Sequence, residues 1–384
     1  MIQALPSEEQ KFGPISELLG YVEKDAEKSI SLLRQGQEEE AKETGLLALR
    51  CLVSIGKGLQ APDDLPVDLS EEEGPQPPSF WEASSGGALQ GKIMNLVRML
   101  CSTFNGDGEM VDAACAVFKT GFAETTPGLF VFRPERVTDF LLEHCACTET
   151  ILSTAGTLIS SHSTSSSADI VTQVLQLLQF IINLALRIGG PQTEPEIAQS
   201  IAEFASRLLR HYAHVLCSYQ PHAHLEALFV FILDSLTVRE ALVKKAAAAF
   251  WSSFLSLATP ASDEIIAACG PTLAKKLCWA IGGGCSRSEI EVLADPLRKL
   301  VTRQVRSKMW LTEALKPEGF PTENLGERDK RLFVEKVMTL RGKSGTNQVA
   351  KEFWLMARGT EFACMFSIQL MENVSGADDI TDAS

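Results

Sequence analysis

Residues 195–212 of this 384-residue chain read PEIAQSIAEFASRLLRHY. Apolar side chains recur there at intervals of three and four positions, which is the repeat of one face of an α-helix. The side chains on that face are Ile197, Ile201, Phe204, Leu208 and Tyr212, with Ala205 and Leu209 beside them. The stretch therefore predicts an amphipathic helix that buries one side.

Turn-forming residues around such helices indicate where each one begins and ends. Thr193 and Glu196 have the spacing of a capping box, which predicts a helix start there. The three glycines at 282–284 can adopt the left-handed backbone that ends a helix. Ser286 and Glu289 then form a second capping-box pattern. Two helices joined by so few residues must fold back on each other.

The same signals repeat along the whole chain. They predict helices near residues 14–35, 38–60, 87–104, 107–122, 134–146, 148–160, 168–188, 194–219, 221–235, 238–258, 262–281, 287–304, 307–316, 327–340 and 345–358. No segment has a convincing strand pattern, and the Phe-Val-Phe stretch at 130–132 is predicted to be an extended connector. Hairpins that arrive roughly every forty residues predict an all-α fold, an α-solenoid in which neighbouring pairs complete one another's core. A compact helical bundle is the alternative.

Composition and charge indicate which kinds of molecule this chain can be expected to bind. The net charge is −14, and residues 1–80 hold 16 Asp and Glu against 7 Lys and Arg. Residues 372–384 hold four acidic residues and no basic one. Affinity for a phosphate backbone depends on clustered Lys and Arg, so the chain is not expected to bind nucleic acid directly. Its charge favours basic protein partners.

One apolar stretch has nearly the length of a membrane span. Residues 170–186 carry no charged side chain. However, Thr172, Gln176, Gln179 and Asn183 fall at spacings of four, three and four, which places them in one polar stripe on a helix. We therefore expect no membrane insertion and a helix buried on its other sides.

Catalytic patterns are absent or weak. The chain has no phosphate-binding loop and no nucleophile elbow, so we expect neither an enzyme nor a cofactor. Cys145 and Cys147 follow His144, but two thiols one residue apart on a helix point in different directions. The ten cysteines mostly lie in apolar helical patterns, which indicates reduced, structural thiols.

Four histidines at positions 211, 214, 222 and 224 form the other candidate for a metal site. His211 and His214 are one helical turn apart, a spacing that can hold Zn²⁺. Glu226 is the only acidic residue close by in the sequence, and nothing else is placed to complete a ligand set. We favour surface histidines between helices, and no bound metal is expected.

Residues 61–86 interrupt the helical array with five prolines and a run of acidic residues. The candidate partner-binding residues are Asp63, Asp64, Glu71, Glu72 and Glu73. One interpretation is a loop that holds a basic protein, and the other is a solvated linker. A second polar linker is predicted at 161–167. By contrast, Phe250, Trp251, Trp310 and Trp354 are predicted to fill the core.

Several stretches together resemble a known family. AIGGGCSRS at 280–288 and MWLTEALKPEGFP at 309–321 resemble the C-terminal region of importin-13-type nuclear transport receptors. VKKAAAAFW at 243–251 and KEFWL at 351–355 fall in a similar order and spacing. The resemblance is specific over roughly 190–360 and looser before it. Transportin-3 receptors are similar but lack the Gly-Gly and Gly-Phe-Pro elements.

The resemblance implies a karyopherin-β, which is a superhelix of about twenty HEAT repeats. Such receptors shuttle between nucleus and cytoplasm, and their partners are protein cargo, the GTPase Ran and nuclear pore proteins. Family members are more than twice as long, so we expect this chain to correspond to their C-terminal cargo-binding arch. A HEAT-repeat scaffold or regulatory subunit unrelated to transport is the alternative function.

The expected domain organisation follows from the resemblance and the linker pattern. Residues 1–60 form a HEAT-like hairpin, 61–86 an acidic Pro-rich loop, and 87–360 further HEAT-like repeats. Residues 361–384 form a C-terminal segment whose acidic end is expected to be disordered.

Overall fold

The computed structural model describes residues 2, 5, 7–60, 79–82, 84–124, 127–162 and 168–359. These residues form fifteen α-helices, and no β-strand occurs among them, as predicted. The helices are α1 (Glu8–Arg34), α2 (Glu38–Leu59), α3 (Ser84–Thr103), α4 (Gly108–Lys119), α5 (Pro134–Glu143), α6 (Thr148–Ser161), α7 (Ala168–Ile188), α8 (Pro195–Cys217), α9 (His222–Ser235), α10 (Ala241–Phe254), α11 (Pro260–Trp279), α12 (Ile290–Arg303), α13 (Ser307–Leu315), α14 (Glu327–Thr339) and α15 (Lys343–Arg358).

The chain divides into two compact units, Met1–Leu177 and Leu178–Ser384, and the division falls within α7. In the first unit, α1 and α2 form a hairpin around Gly36, whose φ of +79° suits glycine. The buried Ser29 hydroxyl donates to the Ala41 carbonyl at 2.6 Å and ties the two helices together. Helix α1 packs on α3, while α2 packs on α4 and α4 on α6. Helices α1, α2 and α4 thus each contact the second helix after them, as in stacked hairpins.

The second unit repeats this arrangement. Helices α8, α10, α12 and α15 pack one on the next in one layer. Helices α9, α11 and α13 follow one another in the other layer, and α14 packs on α13 and α15. Because each hairpin covers the apolar face of the next, the predicted solenoid of helical hairpins is confirmed.

An aromatic cluster forms the centre of the second unit. Phe229 of α9 meets Phe254, Phe250 and Trp251 of α10 with ring centroids 4.9, 5.6 and 5.7 Å apart. Phe250, Trp251 and Phe254 have no solvent-exposed surface. The predicted core role of Phe250 and Trp251 is therefore confirmed, and Trp310 and Trp354 are buried as well.

A buried ion pair joins α10 to the turn before α12. The Lys244 ammonium lies 2.6 Å from the Glu289 carboxylate, and both side chains are almost fully enclosed. Glu289 also accepts from the Ser286 backbone N–H at 2.6 Å, which completes the predicted capping box. Burial alone would raise the pKa of Glu289, but the hydrogen bonds from Lys244 and Ser286 hold it below its usual value.

The glycine run after α11 brings together the stretches that carry the family resemblance. Residues Ala280–Gly284 form a π-helical turn, within which Gly283 has a φ of +115°. A Cβ on Gly282 would lie 2.1 Å from Pro321, so only glycine fits there. The Trp354 indole donates to the Cys285 carbonyl at 2.9 Å. Three stretches that are distant in sequence thus meet at one place in the fold.

The predictions for the start of α1 and for the cap of α8 are wrong. Helix α1 begins at Glu8 instead of residue 14, because Ser7 caps it and accepts from the Gln10 N–H at 3.3 Å. Pro14 then lies inside the helix, where it forgoes one hydrogen bond. At α8, Pro195 occupies the first helical position and Glu194 precedes it. Thr193 is therefore one residue too early, and the predicted capping box does not form.

Helix α7 is the one described helix long and apolar enough to cross a membrane by length and composition. Half of its most apolar window is buried within the protein. The predicted polar stripe is present on its outer side, since Thr172, Gln176 and Asn183 are exposed. A core helix of a soluble protein passes the same test, so this feature is weak evidence for a membrane span.

Gly270 allows α11 to approach α13. A Cβ at this position would lie 2.2 Å from the ring of Trp310, which is 5% exposed. We expect Gly270→Ala to lower the free energy of unfolding by about 1–3 kcal/mol, because overpacking outweighs the better helix propensity of alanine. Urea unfolding followed by circular dichroism measures this change.

Two further variants test the cause of that loss. Gly91 of α3 has no atom within 4 Å of its Cβ position, so Gly91→Ala should raise stability by about 0.5–1 kcal/mol. In a Trp310→Leu background the indole ring is absent. Gly270→Ala should then lower the free energy of unfolding by much less than it does in the parent. An equal loss of stability in the parent and in the Trp310→Leu background would contradict the proposed clash between a Cβ at position 270 and the Trp310 ring.

Candidate functional site

An open groove runs between α9 and α11 on the surface of the second unit. It has a volume of about 440 Å³. The lining residues are Cys217 of α8; His222, Leu225, Glu226, Phe229, Val230 and Leu233 of α9; and Ala261, Glu264, Ile265, Ala268, Cys269 and Thr272 of α11. On each of the two helices these residues recur at alternating intervals of three and one, which defines a single helical face. We call this feature the α9–α11 groove.

The floor of the α9–α11 groove is apolar and firmly packed. Leu225, Phe229 and Leu233 are at most 3% exposed. Phe229 belongs to the aromatic cluster of the core, so its position is fixed from below. Val230 is 46% exposed and offers apolar surface to a partner. The small side chains of Ala261 and Ala268 leave the groove open on the α11 side.

An ion pair fixes one end of the α9–α11 groove. Asp234 of α9 and Lys276 of α11 lie next to the last lining residues, with the carboxylate 3.0 Å from the ammonium. At the opposite end, the Gln220 amide contacts the His222 imidazole at 2.6 Å. The Asp234–Lys276 pair thus links the two walls at one end, whereas the Gln220–His222 contact lies on the α9 side alone.

The charged lining residues of the α9–α11 groove are acidic. Glu226 of α9 and Glu264 of α11 both line the groove and are exposed, and no Lys or Arg among the described residues lines it. Burial, with a smaller contribution from the charge of Glu226, raises the pKa of the Cys269 thiol to about 11. This thiol is neutral at physiological pH and is therefore a poor nucleophile. The groove is equipped to bind an apolar segment that carries positive charge.

The candidate partner-binding residues from the sequence cannot be placed beside this groove. Asp63, Asp64, Glu71, Glu72 and Glu73 all lie outside the described residues. The same holds for most of the acidic loop at 61–86, for residues 163–167 of the second predicted linker, and for the C-terminal segment 361–384.

The two clusters considered as metal sites have local structural explanations. Tyr212 has non-helical backbone angles, which interrupt α8 between His211 and His214. Cys147 directs its thiol at the Gly106 carbonyl, 3.6 Å away. Within the described part of the chain, no group of three or more His, Cys, Asp or Glu side chains could hold a metal ion.

The α9–α11 groove was not predicted from the sequence. A signal for it is present, because α9 is apolar on nearly all sides while one face of α11 carries small residues. That combination indicates that the outer apolar face of α9 is only partly covered by α11 and could contact another polypeptide. Which face remains open depends on how the neighbouring hairpins stack, and periodicity alone does not reveal this.

Comparison with known proteins places one wall of the groove, α11, within a recognised repeat. A family model described as the importin 13 repeat matches residues 236–307, which contain α10, α11 and α12. Importin-13 of Homo sapiens is 24% identical over 289 residues, covering 70% of this chain and 28% of that protein. Importin beta-like protein kap111 of Schizosaccharomyces pombe is 26% identical over 326 residues, covering 81% of this chain and 32% of that protein.

A solved structure of importin-13 in its cytosolic state shows the same fold. It superposes with a TM-score of 0.74 over 93% of this chain and 39% of that chain, at 14% sequence identity. The chain spans about a third or less of the length of these curated relatives. The family model, the relatives and the solved structure together confirm that this chain is related to the importin-13-type karyopherins and has the fold of their HEAT-repeat solenoid.

Proposed function

We propose that this chain acts in nuclear transport as the C-terminal cargo-binding arch of a Ran-dependent receptor. The observation that carries the proposal is the preformed, acidic α9–α11 groove, whose α11 wall lies within the matched repeat. In the proposed setting the chain shuttles between nucleus and cytoplasm. Its partners are basic nuclear proteins as cargo, with Ran and nuclear pore proteins contacting the full-length receptor.

The chemistry of the groove supports a basic protein as the occupant. Val230 and the buried floor offer apolar contact, while Glu226 and Glu264 supply negative charge on both sides. A segment that places an apolar side chain on the floor and a Lys or Arg at the rim would satisfy both. Apolar contact gives most of the affinity, and the exposed charges mainly speed capture.

The acidic residues at 61–86 are proposed as a second contact for the same cargo. Asp63, Asp64, Glu71, Glu72 and Glu73 would act at a distance, attracting a basic protein before it docks. This attraction is screened beyond about 8 Å at physiological salt, so it affects association more than release.

Substitutions in the groove test the proposal. Glu226→Gln with Glu264→Gln should slow the association of core histones severalfold at low salt and weaken its salt dependence. Ala268→Trp should fill the groove and lower the affinity about tenfold, because the floor becomes inaccessible. Surface plasmon resonance over a range of salt concentrations measures both effects.

A matched control uses two other exposed carboxylates of the second unit, Glu203→Gln with Glu240→Gln. This pair removes the same charge outside the groove and should change the association rate less than twofold. Equal effects of both charge pairs, together with no effect of Ala268→Trp, would refute the groove as a cargo site. Retention of histones both with and without GTP-loaded Ran would instead favour the HEAT-repeat scaffold function.

Neutralisation of the acidic residues tests the second contact. The fivefold variant Asp63→Asn, Asp64→Asn, Glu71→Gln, Glu72→Gln and Glu73→Gln should slow histone association more than it speeds release. The same kinetic assay separates the two rates. An unchanged association rate and salt dependence would show that the segment is a solvated linker.

Cys269 reports directly on occupancy of the groove. Because its pKa is about 11, its alkylation by iodoacetamide should rise about tenfold per pH unit between pH 7 and 9. Bound cargo should reduce this rate at each pH, and mass spectrometry of the Cys269 peptide measures it. A rate that does not respond to saturating cargo would place the cargo elsewhere.

A further inference from the structure

Helices α13 and α14 enclose a second groove with the opposite charge. It has a volume of about 410 Å³. The lining residues are Lys308, Thr312, Leu315 and Lys316 of α13 and the turn after it, with Glu327, Lys330, Arg331, Val334 and Glu335 of α14. Four of these nine residues are basic and two are acidic. We call this feature the α13–α14 groove.

Three cations of the α13–α14 groove are accessible. Lys308, Lys316 and Arg331 are exposed. Among the described residues, neither Lys308 nor Arg331 is within ion-pair distance of a carboxylate, and Lys316 lies 3.7 Å from the exposed carboxylate of Glu313. Such exposed pairs contribute little, so all three cations remain available to a ligand.

Lys330 forms the fixed base of this groove. It is 4% exposed, and its ammonium donates to the Pro317 carbonyl at 2.9 Å and to Glu327 at 3.2 Å. Leu315 and Val334 are buried beside it. The groove therefore combines a packed floor with cations at its rim, and it fits an acidic segment of polypeptide.

The charge of the surrounding helices supports the same kind of ligand. From Ile290 to Arg358, which spans α12 to α15, the chain has 14 Lys and Arg against 9 Asp and Glu. This region carries +5 in a chain of net charge −14. Residues 360–384 contain five acidic side chains and no basic one. They are Glu361, Glu372, Asp378, Asp379 and Asp382.

The described chain ends next to the α13–α14 groove. The Ala357 carbonyl accepts from Thr322 at 3.1 Å and from Asn324 at 3.0 Å, in the loop between α13 and α14. Asn324 is three residues before Glu327 of the groove, so their Cα atoms are at most about 10 Å apart. The 25 residues that follow Gly359 can span up to about 80 Å, far more than this distance.

We propose that the acidic stretch 372–384 of this chain binds in its own α13–α14 groove. The negatively charged partners for the accessible cations are Glu372, Asp378, Asp379 and Asp382. Each exposed contact is weak, but attachment to the same chain gives an effective concentration in the millimolar range. The bound stretch would keep acidic segments of other proteins out of this groove. The proposal does not depend on the cargo function of the α9–α11 groove.

A peptide in trans tests the proposal. The probe is a fluorescent peptide with the sequence of residues 372–384, ENVSGADDITDAS. In the full chain, the attached stretch competes with the probe. The variant Glu372→Gln, Asp378→Asn, Asp379→Asn and Asp382→Asn should release the groove and bind the probe at least fivefold more tightly than the parent. Fluorescence anisotropy at low salt measures both affinities.

The cations of the α13–α14 groove are tested in the variant whose four acidic residues at 372–382 have been neutralised, which we call the neutral variant. Lys308→Ser, Lys316→Ser and Arg331→Ser together should weaken probe binding at least fivefold. The matched control removes three other exposed cations of the same unit, Arg210→Ser, Arg239→Ser and Lys245→Ser, and should change it less than twofold. Circular dichroism confirms that each variant is folded.

Zero-length carbodiimide cross-linking of the parent chain then identifies the occupant. A mixture of unlabelled and ¹⁵N-labelled chain should give links from Lys308 or Lys316 to Asp378, Asp379 or Asp382 within one copy. Links mainly between copies would overturn the proposal in favour of a second copy as the occupant. Equal probe affinity of the parent and the neutral variant, or equal effects of the groove and control substitutions, would also overturn it.

Discussion

The second unit depends on the contact of Phe229 with the aromatic side chains of α10. A helical hairpin is too thin to bury its own apolar face, so its stability comes from the hairpin stacked on it. Phe229, Phe250, Trp251 and Phe254 meet where α9 and α10 pack, and they are almost completely removed from water. This burial fixes α9 from beneath. The same contact makes the floor of the α9–α11 groove rigid, because Phe229 belongs to both the core and the floor. Packing that stabilises the fold thereby also shapes the groove that we propose as a binding surface.

Much of the fold is predictable because helical periodicity is a local property of the sequence. The spacing in residues 195–212, the glycines at 282–284 and the capping box at Ser286 all correspond to the observed elements. The errors occur where two local signals compete. At α1, the cap at Ser7 outweighs the helix-breaking tendency of Pro14, and at α8 the proline at the first helical position displaces the predicted cap. Such competition is decided by small differences in free energy that a pattern does not contain.

The grooves are less predictable than the helices, because they depend on contacts between residues that are distant in sequence. The periodicity of α11 shows that Ala261 and Ala268 share a face, yet it does not show that this face remains open. Likewise, nothing in the sequence indicates that Gly282 packs against Pro321 or that Trp354 donates to Cys285. These contacts join the stretches 280–288, 309–321 and 351–355, whose resemblance to one family was apparent from the residues alone. Their meeting in space gives a physical reason for that resemblance, since a change in one stretch must be matched in the others.

Net charge describes this chain poorly, because opposite charges are collected on different surfaces. The value of −14 predicts a partner with positive charge, and the α9–α11 groove with Glu226 and Glu264 has the corresponding lining. The α13–α14 groove carries Lys308, Lys316 and Arg331 and selects for the opposite sign. Charge interactions between exposed groups decay over about 10 Å at moderate salt, so each groove responds to its local lining and not to the total. The groove proposed for basic partners and the groove proposed for an acidic segment can therefore act independently within the same unit, and each can be altered without the other.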